Sequence, residues 1–568
     1  AVQDYLSVEA LGDVFDFYIW SGTPCEALTA YGTLTGLPIF PPEWVFEPWA
    51  GGGGGRWRNG PLQDIALEQM AAMKKFHELD IPHSGFYAEG AGATFFGEYK
   101  KEELYKVVSF GECHGFKVFS WQFPNMTQEL AQELLPECPK EELPITKNKN
   151  DEEEKLPVYI DFSHPRAKEL LAAQWKDRMD AGIRGSMVDF GDVVPDEAVF
   201  YDGRRGDEMH NAYAYQYAKN YRELFEQKYG DDHVLYTRGA APGSQHFACQ
   251  FGGDQLTSFQ GLKYAIAGGL SAAASGLPFW GVDAGGYDGF PDQETYLRWT
   301  EYAAFCPLMR FHGTEPREPW EYDAFTVKVY RYYTWLRENF RPYIVSVAAE
   351  AHKLGIPMMR PLAMMYPEDQ EATKVWDEYL FGEDLLVAPV SDETEEREIY
   401  FPEGRWISLW NLNDEISGPV QRSVEVPIDK IPVYIREGSF LPLRLNESLK
   451  LGESMSESET EMILAVVPQN DSIVKETLYE RSGAKTCCGM EKNGETIQLQ
   501  ISGRTAELYV MLAGIHWKNT EAIVNGRTLT KVTAREGLYF TEGYLELEEG
   551  ILVKINPSAE SVIKIQKK

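Results

Sequence analysis

From about residue 39 to about residue 345 the chain repeats one pattern, a stretch with helical spacing of apolar residues followed by a short apolar run. IALEQMAAMKKFHELDI leads into HSGFYAEG, and LYKVVSFGECHGF into KVFSWQFP. AKELLAAQWKDRMDAGI leads into RGSMVDFGD, NAYAYQYAKNYRELFEQKYG into HVLYTRGA, and QGLKYAIAGGLSAAASG into LPFWGVDAGG. Helix then strand, repeated over this length, indicates a parallel sheet with crossover helices. The number of units favours a (β/α)8 TIM barrel over an open sheet.

The flanks read differently. Pro38, Pro41 and Pro42 in GLPIFPPEW punctuate the entry to the barrel. The residues before them, AVQDYLSVEALGDVFDFYIW, read as strands already inside a domain. KEELPITKNKNDEEEK is a charged, solvated excursion from the barrel. Beyond about residue 350, runs such as EYLFGEDLLVAPV, REIYFP, RWISLW and IPVYIREGSFLPL are separated by turn residues, and from about 444 the series continues as ETIQLQISG, AELYVML and ILVKINP. These runs indicate one or two β-sandwich domains.

Composition removes several function classes. A hydrophobic share of 43% excludes global disorder. With 88 acidic and 54 basic side chains the net charge is −34, which repels phosphate backbones and argues against nucleic acid as a partner. No apolar run reaches the roughly 18 residues of a membrane span. The seven cysteines have no metal-ligand spacing, the total is odd and no signal peptide is evident, so free thiols in the cytoplasm are expected. A homo-oligomer is left open. The 14 Trp, 31 Tyr and 29 Phe suit either a large aromatic core or stacking on sugars.

In a barrel, chemistry sits at the C-terminal ends of the strands. Read in order, those ends carry Glu89, Gln122, Asp189 with Asp192, Arg238, Asp254, and Asp283 with Tyr287, followed by Arg310 and His312. Several carboxylates with two Arg, one His and aromatic company from Phe251, Trp280 and Trp320 suit glycoside cleavage. One carboxylate attacks the anomeric carbon while another, held protonated, donates to the leaving oxygen. The run Gly51 to Gly55 lacks the Lys-Ser/Thr of a phosphate loop and reads as a rim loop carrying Arg56 and Trp57.

SMVDFGDVVPDEAVFYDG, EMHNAYAYQYAKNY, LYTRGAAPGSQHF, FGGDQ, FWGVDAGGY, LMRFHGTEPREPW, PMMRPLAMMYPED and YLFGEDLLVAPV follow one another from Ser186 onward. In these motifs the chain resembles glycoside hydrolase family 31, particularly its α-xylosidase and sulfoquinovosidase branches. The resemblance implies the end of an N-terminal β-sandwich at 1–38, the catalytic barrel at 39–345, a proximal β-domain at 346–443 and a distal one at 444–568. It implies Asp189 as nucleophile, Asp254 as general acid/base, and Arg238 as the arginine beside the acid/base and the sugar. Asp283 and His312 match polar groups lining the terminal-sugar pocket, and Phe251 stands where relatives often carry Trp. No cofactor or metal is implied. The partner is an oligosaccharide or α-glycoside substrate.

Departures from the family pattern bear on substrate more than on reaction. YAEGAGA stands where α-glucosidases often have an Asp, so Glu89 is the candidate replacement. Met187 stands two residues before the nucleophile, where α-glucosidases often carry Trp and some α-xylosidases Lys. GAGATFFGEYKK offers no Arg for a sulfonate, although Arg56 or Arg58 of the glycine-rich loop remains an alternative clamp. The expected activity is therefore exo-acting retaining hydrolysis of terminal α-linked glucose- or xylose-type residues, with Met187, Phe251 and Trp280 as apolar surface. Alternatives are sulfoquinovosidase or α-galactosidase-like specificity, transglycosylation, a catalytically inactive carbohydrate-binding homologue, and a metal-dependent hydrolase that a chelator would expose.

Overall fold

The computed structural model describes residues 16–51, 62–91, 100–147, 158–456, 461–470, 473–480, 482–504, 506–539 and 541–568. Its centre is a curled sheet of seven parallel strands in chain order. They are β1 (Trp49–Gly51), β2 (Gly85–Tyr87), β3 (Lys117–Gln122), β4 (Gly185–Val188), β5 (Val234–Thr237), β6 (Cys249–Phe251) and β7 (Trp280–Gly281). The segment 308–310 lies between the first and last strands. Leu308 bridges Gly281, and Arg310 bridges Trp49, both in parallel.

The strands are short and buried because helices cover the sheet. Leu62–Glu78, Lys101–Cys113, Ala167–Ala181, Gly206–Tyr229, Phe259–Ala274 and Gln293–Ala304 alternate with the strands, and Ala324–Leu354 follows. Inside the curl, Trp49 packs edge-on to Phe119 with ring centroids 4.9 Å apart, and Tyr236 lies 5.6 Å from Trp49. Large rings fill the interior, so it is a packed core with chemistry left to the strand ends.

Of the stretch expected to end a β-sandwich, residues 1–15 lie outside the described residues. Among the described residues 16–38 there is no strand, and Pro24–Thr35 is a helix. Thr23 accepts from the Glu26 amide while the Glu26 carboxylate accepts from the Thr23 amide, with Pro24 at the first helical position. This capping box starts a helix regardless of the apolar residues before it.

The C-terminal part is also simpler than two sandwiches. Residues 359–436 form a single six-stranded antiparallel sheet. Its strand Tyr379–Phe381 sends Tyr379 and Phe381 to the main core and Leu380 to a separate cluster with Ile399, Phe401 and Trp406. The main core also contains residues of helix Ala324–Leu354, so the barrel supplies cover that a second sheet would otherwise provide. The distal unit is a sandwich, a five-stranded sheet facing a six-stranded one over a shared core of Val466, Val510, Ile497 and Ile563. Strand Phe440–Leu445 pairs with Glu461–Val466 of that sandwich, so a boundary at 443/444 falls inside a distal strand. All seven cysteines are free, and among the described residues no helix is long and apolar enough to cross a membrane.

Candidate active site

Asp189 follows β4 directly. Its amide donates to the Gln122 carbonyl at 2.7 Å, which extends the β3–β4 ladder one residue past the strand end and fixes where the side chain starts. The carboxylate is 8% exposed and carries a donor on each oxygen. The Phe190 amide donates to Oδ1 at 2.7 Å, and the Trp121 indole N–H donates to Oδ2 at 2.9 Å.

Phe190 has φ 57°, the left-handed region that a bulky side chain avoids. Holding that conformation costs about 1–3 kcal/mol. The Arg238 guanidinium lies 4.2 Å over the Phe190 ring and helps hold it.

Arg238, one residue beyond β5, gathers three carboxylates. Its Nε lies 3.5 Å from Asp189 Oδ1 and 3.5 Å from Asp192 Oδ2, and its Nη1 lies 3.9 Å from Asp254 Oδ2. Asp254 sits on the loop after β6, which passes close to Arg238. A Cβ on Gly253, at φ 73°, would come within 3.0 Å of the Arg238 Cδ. The Asp254 side chain is 53% exposed at the site's edge, yet its affinity for a proton is raised, first by its partial burial and then by the charge of Asp189. Arg238 and Arg310 oppose that rise.

Deeper in, Asp283 is fully buried and its carboxyl is pushed up to about 7. Burial is the main cause, opposed by Arg310, whose Nη2 lies 2.5 Å from Asp283 Oδ1. The Arg310 guanidinium lies 4.9 Å from the ring centres of both Tyr236 and Phe251. His312 packs edge-on against Tyr87 at 4.3 Å, and the Tyr87 hydroxyl faces Met187 Sδ at 3.9 Å. Phe251, Met187 and His312 are all buried around these groups. The Gln255 side chain accepts from the Asp283 amide at 3.2 Å, and its carbonyl accepts from the Tyr287 amide at 2.8 Å. Arg317 donates to the carbonyls of Gly286, Tyr287 and Gly289, tying the following loop down.

The structure thus brings together Asp189, Asp192, Arg238 and Asp254, with Asp283, Arg310 and Phe251 linked through Arg310. The side chains of three other candidates have other neighbours. The Trp280 indole faces helix Phe259–Ala274, where a Cβ on Gly269 would lie 2.8 Å from its Nε1. Trp320 packs tilted against Phe76, with ring centroids 4.7 Å apart, and Lys75 lies over it. The Gln122 amide group donates to the neighbouring Phe123 carbonyl. Glu89 begins the turn Glu89–Ala91 after β2, but its side chain, Gly52–Gly55, Arg56, Trp57, Arg58 and residues 92–99 lie outside the described residues. Trp121 was not singled out from the sequence, since the strand-end reading took the last residue of β3 and passed over the one before it. Among the described residues no group of three or more His, Cys, Asp and Glu could hold a metal ion.

The chain is similar to known proteins over most of its length. A model of the family 31 glycosyl hydrolase TIM-barrel domain matches residues 40–347, and one of the family 31 C-terminal domain matches 355–441. The isomaltosyltransferase of Sporosarcina globispora is 27% identical over an alignment covering 96% of this chain and 55% of its own length. An α-xylosidase of Emericella nidulans is 27% identical, over 77% of this chain and 58% of its own. The chain therefore spans a little over half the length of these curated relatives. A family 31 dextranase of Flavobacterium johnsoniae, solved with glucose, shares the fold with a TM-score of 0.84 at 23% identity, covering 97% of this chain and 74% of its own.

Proposed function

This chain belongs to glycoside hydrolase family 31, and we propose that it is an exo-acting retaining α-glycosidase that removes terminal α-linked glucose- or xylose-type residues from oligosaccharides. The observation that carries the reading is the contrast between two carboxyl groups sharing Arg238. Asp189 is held by two N–H donors that suit its charged form, while Asp254 has a raised affinity for its proton.

In the first step an Asp189 oxygen bonds to the anomeric carbon as the bond to the leaving oxygen breaks, and the Asp254 proton passes to that oxygen. In the second, water attacks the anomeric carbon, its proton passes to Asp254, and Asp189 leaves as carboxylate. Arg238 supplies positive charge beside both residues throughout. Seven free thiols support action in a reducing compartment such as the cytoplasm.

A neutral terminal sugar is favoured by Met187 and Phe251 and by the lack of Arg in the sequence of residues 90–101. Transglycosylation to a sugar acceptor is the second reading. It is favoured by the match to the isomaltosyltransferase over 96% of the chain, against 77% for the α-xylosidase.

The test is a panel of p-nitrophenyl α-glucoside, xyloside, galactoside and sulfoquinovoside, with the anomer of the first product read by NMR. A 5-fluoroglycosyl fluoride of the preferred sugar should label Asp189. An inverted product, or a label on Asp192, would overturn the mechanism. A kcat/KM higher for the sulfoquinovoside than for both neutral sugars would overturn the pocket assignment. The ratio of transfer to hydrolysis with added maltose separates the two readings.

A further inference from the structure

We propose that Trp121 is a positioning residue for the attacking carboxylate, its indole N–H holding Asp189 Oδ2 while the Phe190 amide holds Oδ1. The inference deepens the assignment of Asp189 as nucleophile and rests on it.

One donor lies in β3, and the other lies two residues past the end of β4. Trp121 is the next-to-last residue of β3, paired in register with Met187 of β4, and Asp189 lies two residues beyond Met187. The Asp189 amide is bonded to the Gln122 carbonyl, so the backbones that carry the donor and the acceptor are laced together up to the site. The indole is held by its neighbours, with the Phe123 ring 4.9 Å away and the Phe190 ring edge-on at 6.4 Å. The distance of 2.9 Å from Nε1 to Oδ2 is that of a strong hydrogen bond to a charged acceptor.

The chemistry of the donor matters as much as its place. A carboxylate turns about a broad, roughly two-fold torsion, so one donor leaves it free to rock. Donors on both oxygens fix its plane, which is what in-line attack on the anomeric carbon requires. An indole N–H can donate but cannot accept, so it favours the charged form and never competes for the proton that Asp254 must deliver. Whichever oxygen bonds to the sugar, the other becomes the ester carbonyl and keeps an N–H donor. That donor then stabilises the charge returning to the carboxylate when water attacks.

The test replaces Trp121 by Phe, and separately by benzothienylalanine, which keeps the two-ring shape without the N–H and decides the matter if Trp121→Phe folds poorly. Both should lower kcat/KM by about tenfold to a hundredfold, the range for one hydrogen bond to a charged group. The loss should be equal for p-nitrophenyl α-glucoside and for maltose, because the missing contact acts on the nucleophile and not on the leaving group. Inhibition by the free sugar should stay unchanged. Activity within twofold of wild type in the benzothienylalanine protein would overturn the inference, as would a loss confined to maltose. Wild-type enzyme is labelled with the fluoroglycosyl fluoride first. Failure of the label to reach Asp189 would remove the assignment beneath the inference, whereas a labelled Asp189 with a neutral Trp121 substitution would remove the inference alone.

Discussion

Replacing Arg310 by Met tests the buried electrostatics of the site through pH. Asp283 is fully buried, and its carboxyl is raised from the ordinary 3.8 to about 7 even with the Arg310 guanidinium 2.5 Å away. Between those two values the folded protein holds a proton that the unfolded chain releases. The contribution of Asp283 to stability is therefore full below about pH 4 and declines as pH rises toward 7. Without Arg310 the folded value moves higher and the decline continues beyond 7. Near pH 6 the Asp283 carboxyl is mostly neutral in both proteins, and Arg310→Met loses mainly the contacts with Tyr236 and Phe251, worth about 1 kcal/mol. At about pH 8.5 the wild-type pair is ionised and the variant must still bind its proton. At about 1.4 kcal/mol per pH unit this adds roughly 2 kcal/mol. For a barrel matched over residues 40–347, with an unfolding entropy of about 2 cal/mol/K per residue, that is a further drop in Tm of about 3 °C. Calorimetry at both pH values measures it, and the double variant Arg310→Met/Asp283→Asn should lose the pH dependence. A penalty equal at both pH values would refute Arg310 as the charge that Asp283 answers to.

Two further outcomes follow from the same geometry. Asp254→Ala should depress kcat/KM for unactivated disaccharides far more than for p-nitrophenyl glycosides, because a good leaving group needs little protonation, and equal losses would remove Asp254 from that role. Gly313→Ala should weaken substrate binding, since its Cβ would lie 2.5 Å from Arg317 Nη2 and push away the guanidinium that ties down the carbonyls of Gly286, Tyr287 and Gly289. A KM within twofold of wild type would show that the loop does not need that tether.

Much of the barrel is legible in the sequence because its longer helices display their period and alternate with apolar runs. Strands β1 and β6 are harder to see, since three residues cannot show a pattern and Trp49–Gly51 runs directly into glycines. The segment 308–310 contributes only two single-residue bridges and looks like a loop. In FDFYIWSGTPCEAL the aromatic run invites a strand, but the usable signal was Thr23-Pro24-Cys25-Glu26, a capping box that starts a helix. At the site, Asp189, Arg238 and Asp254 are legible because each follows a strand end. Aromatic side chains are not, because residue type does not say which side of a strand they leave from. Trp280 turns to the helix layer, and Trp121 turns to Asp189. Asp283 and Arg310 are close only because the chain curls, since 27 positions of sequence separate residues that the fold brings to 2.5 Å.

The arrangement around Arg238 also bears on how one carboxyl group can act first as acid and then as base. The charge of Asp189 is, after burial, the largest cause of the raised proton affinity of Asp254. In the proposed double displacement, bonding of Asp189 to the sugar turns that carboxylate into a neutral ester. One of the two main causes disappears at the moment the proton has been delivered. Arg238, no longer shared with a charged Asp189, stays within 3.9 Å of Asp254 and 3.5 Å of Asp192, and favours the ionised form that must next accept a proton from water. The prediction is that Asp254 titrates at lower pH in the trapped fluoroglycosyl enzyme than in the free enzyme. Carbon-13 NMR of aspartate-labelled protein, with Asp254 assigned through Asp254→Asn, measures both titrations. An unchanged or higher midpoint in the trapped enzyme would mean that Asp189 and Asp254 are not electrostatically linked, and that the switch from acid to base has another origin.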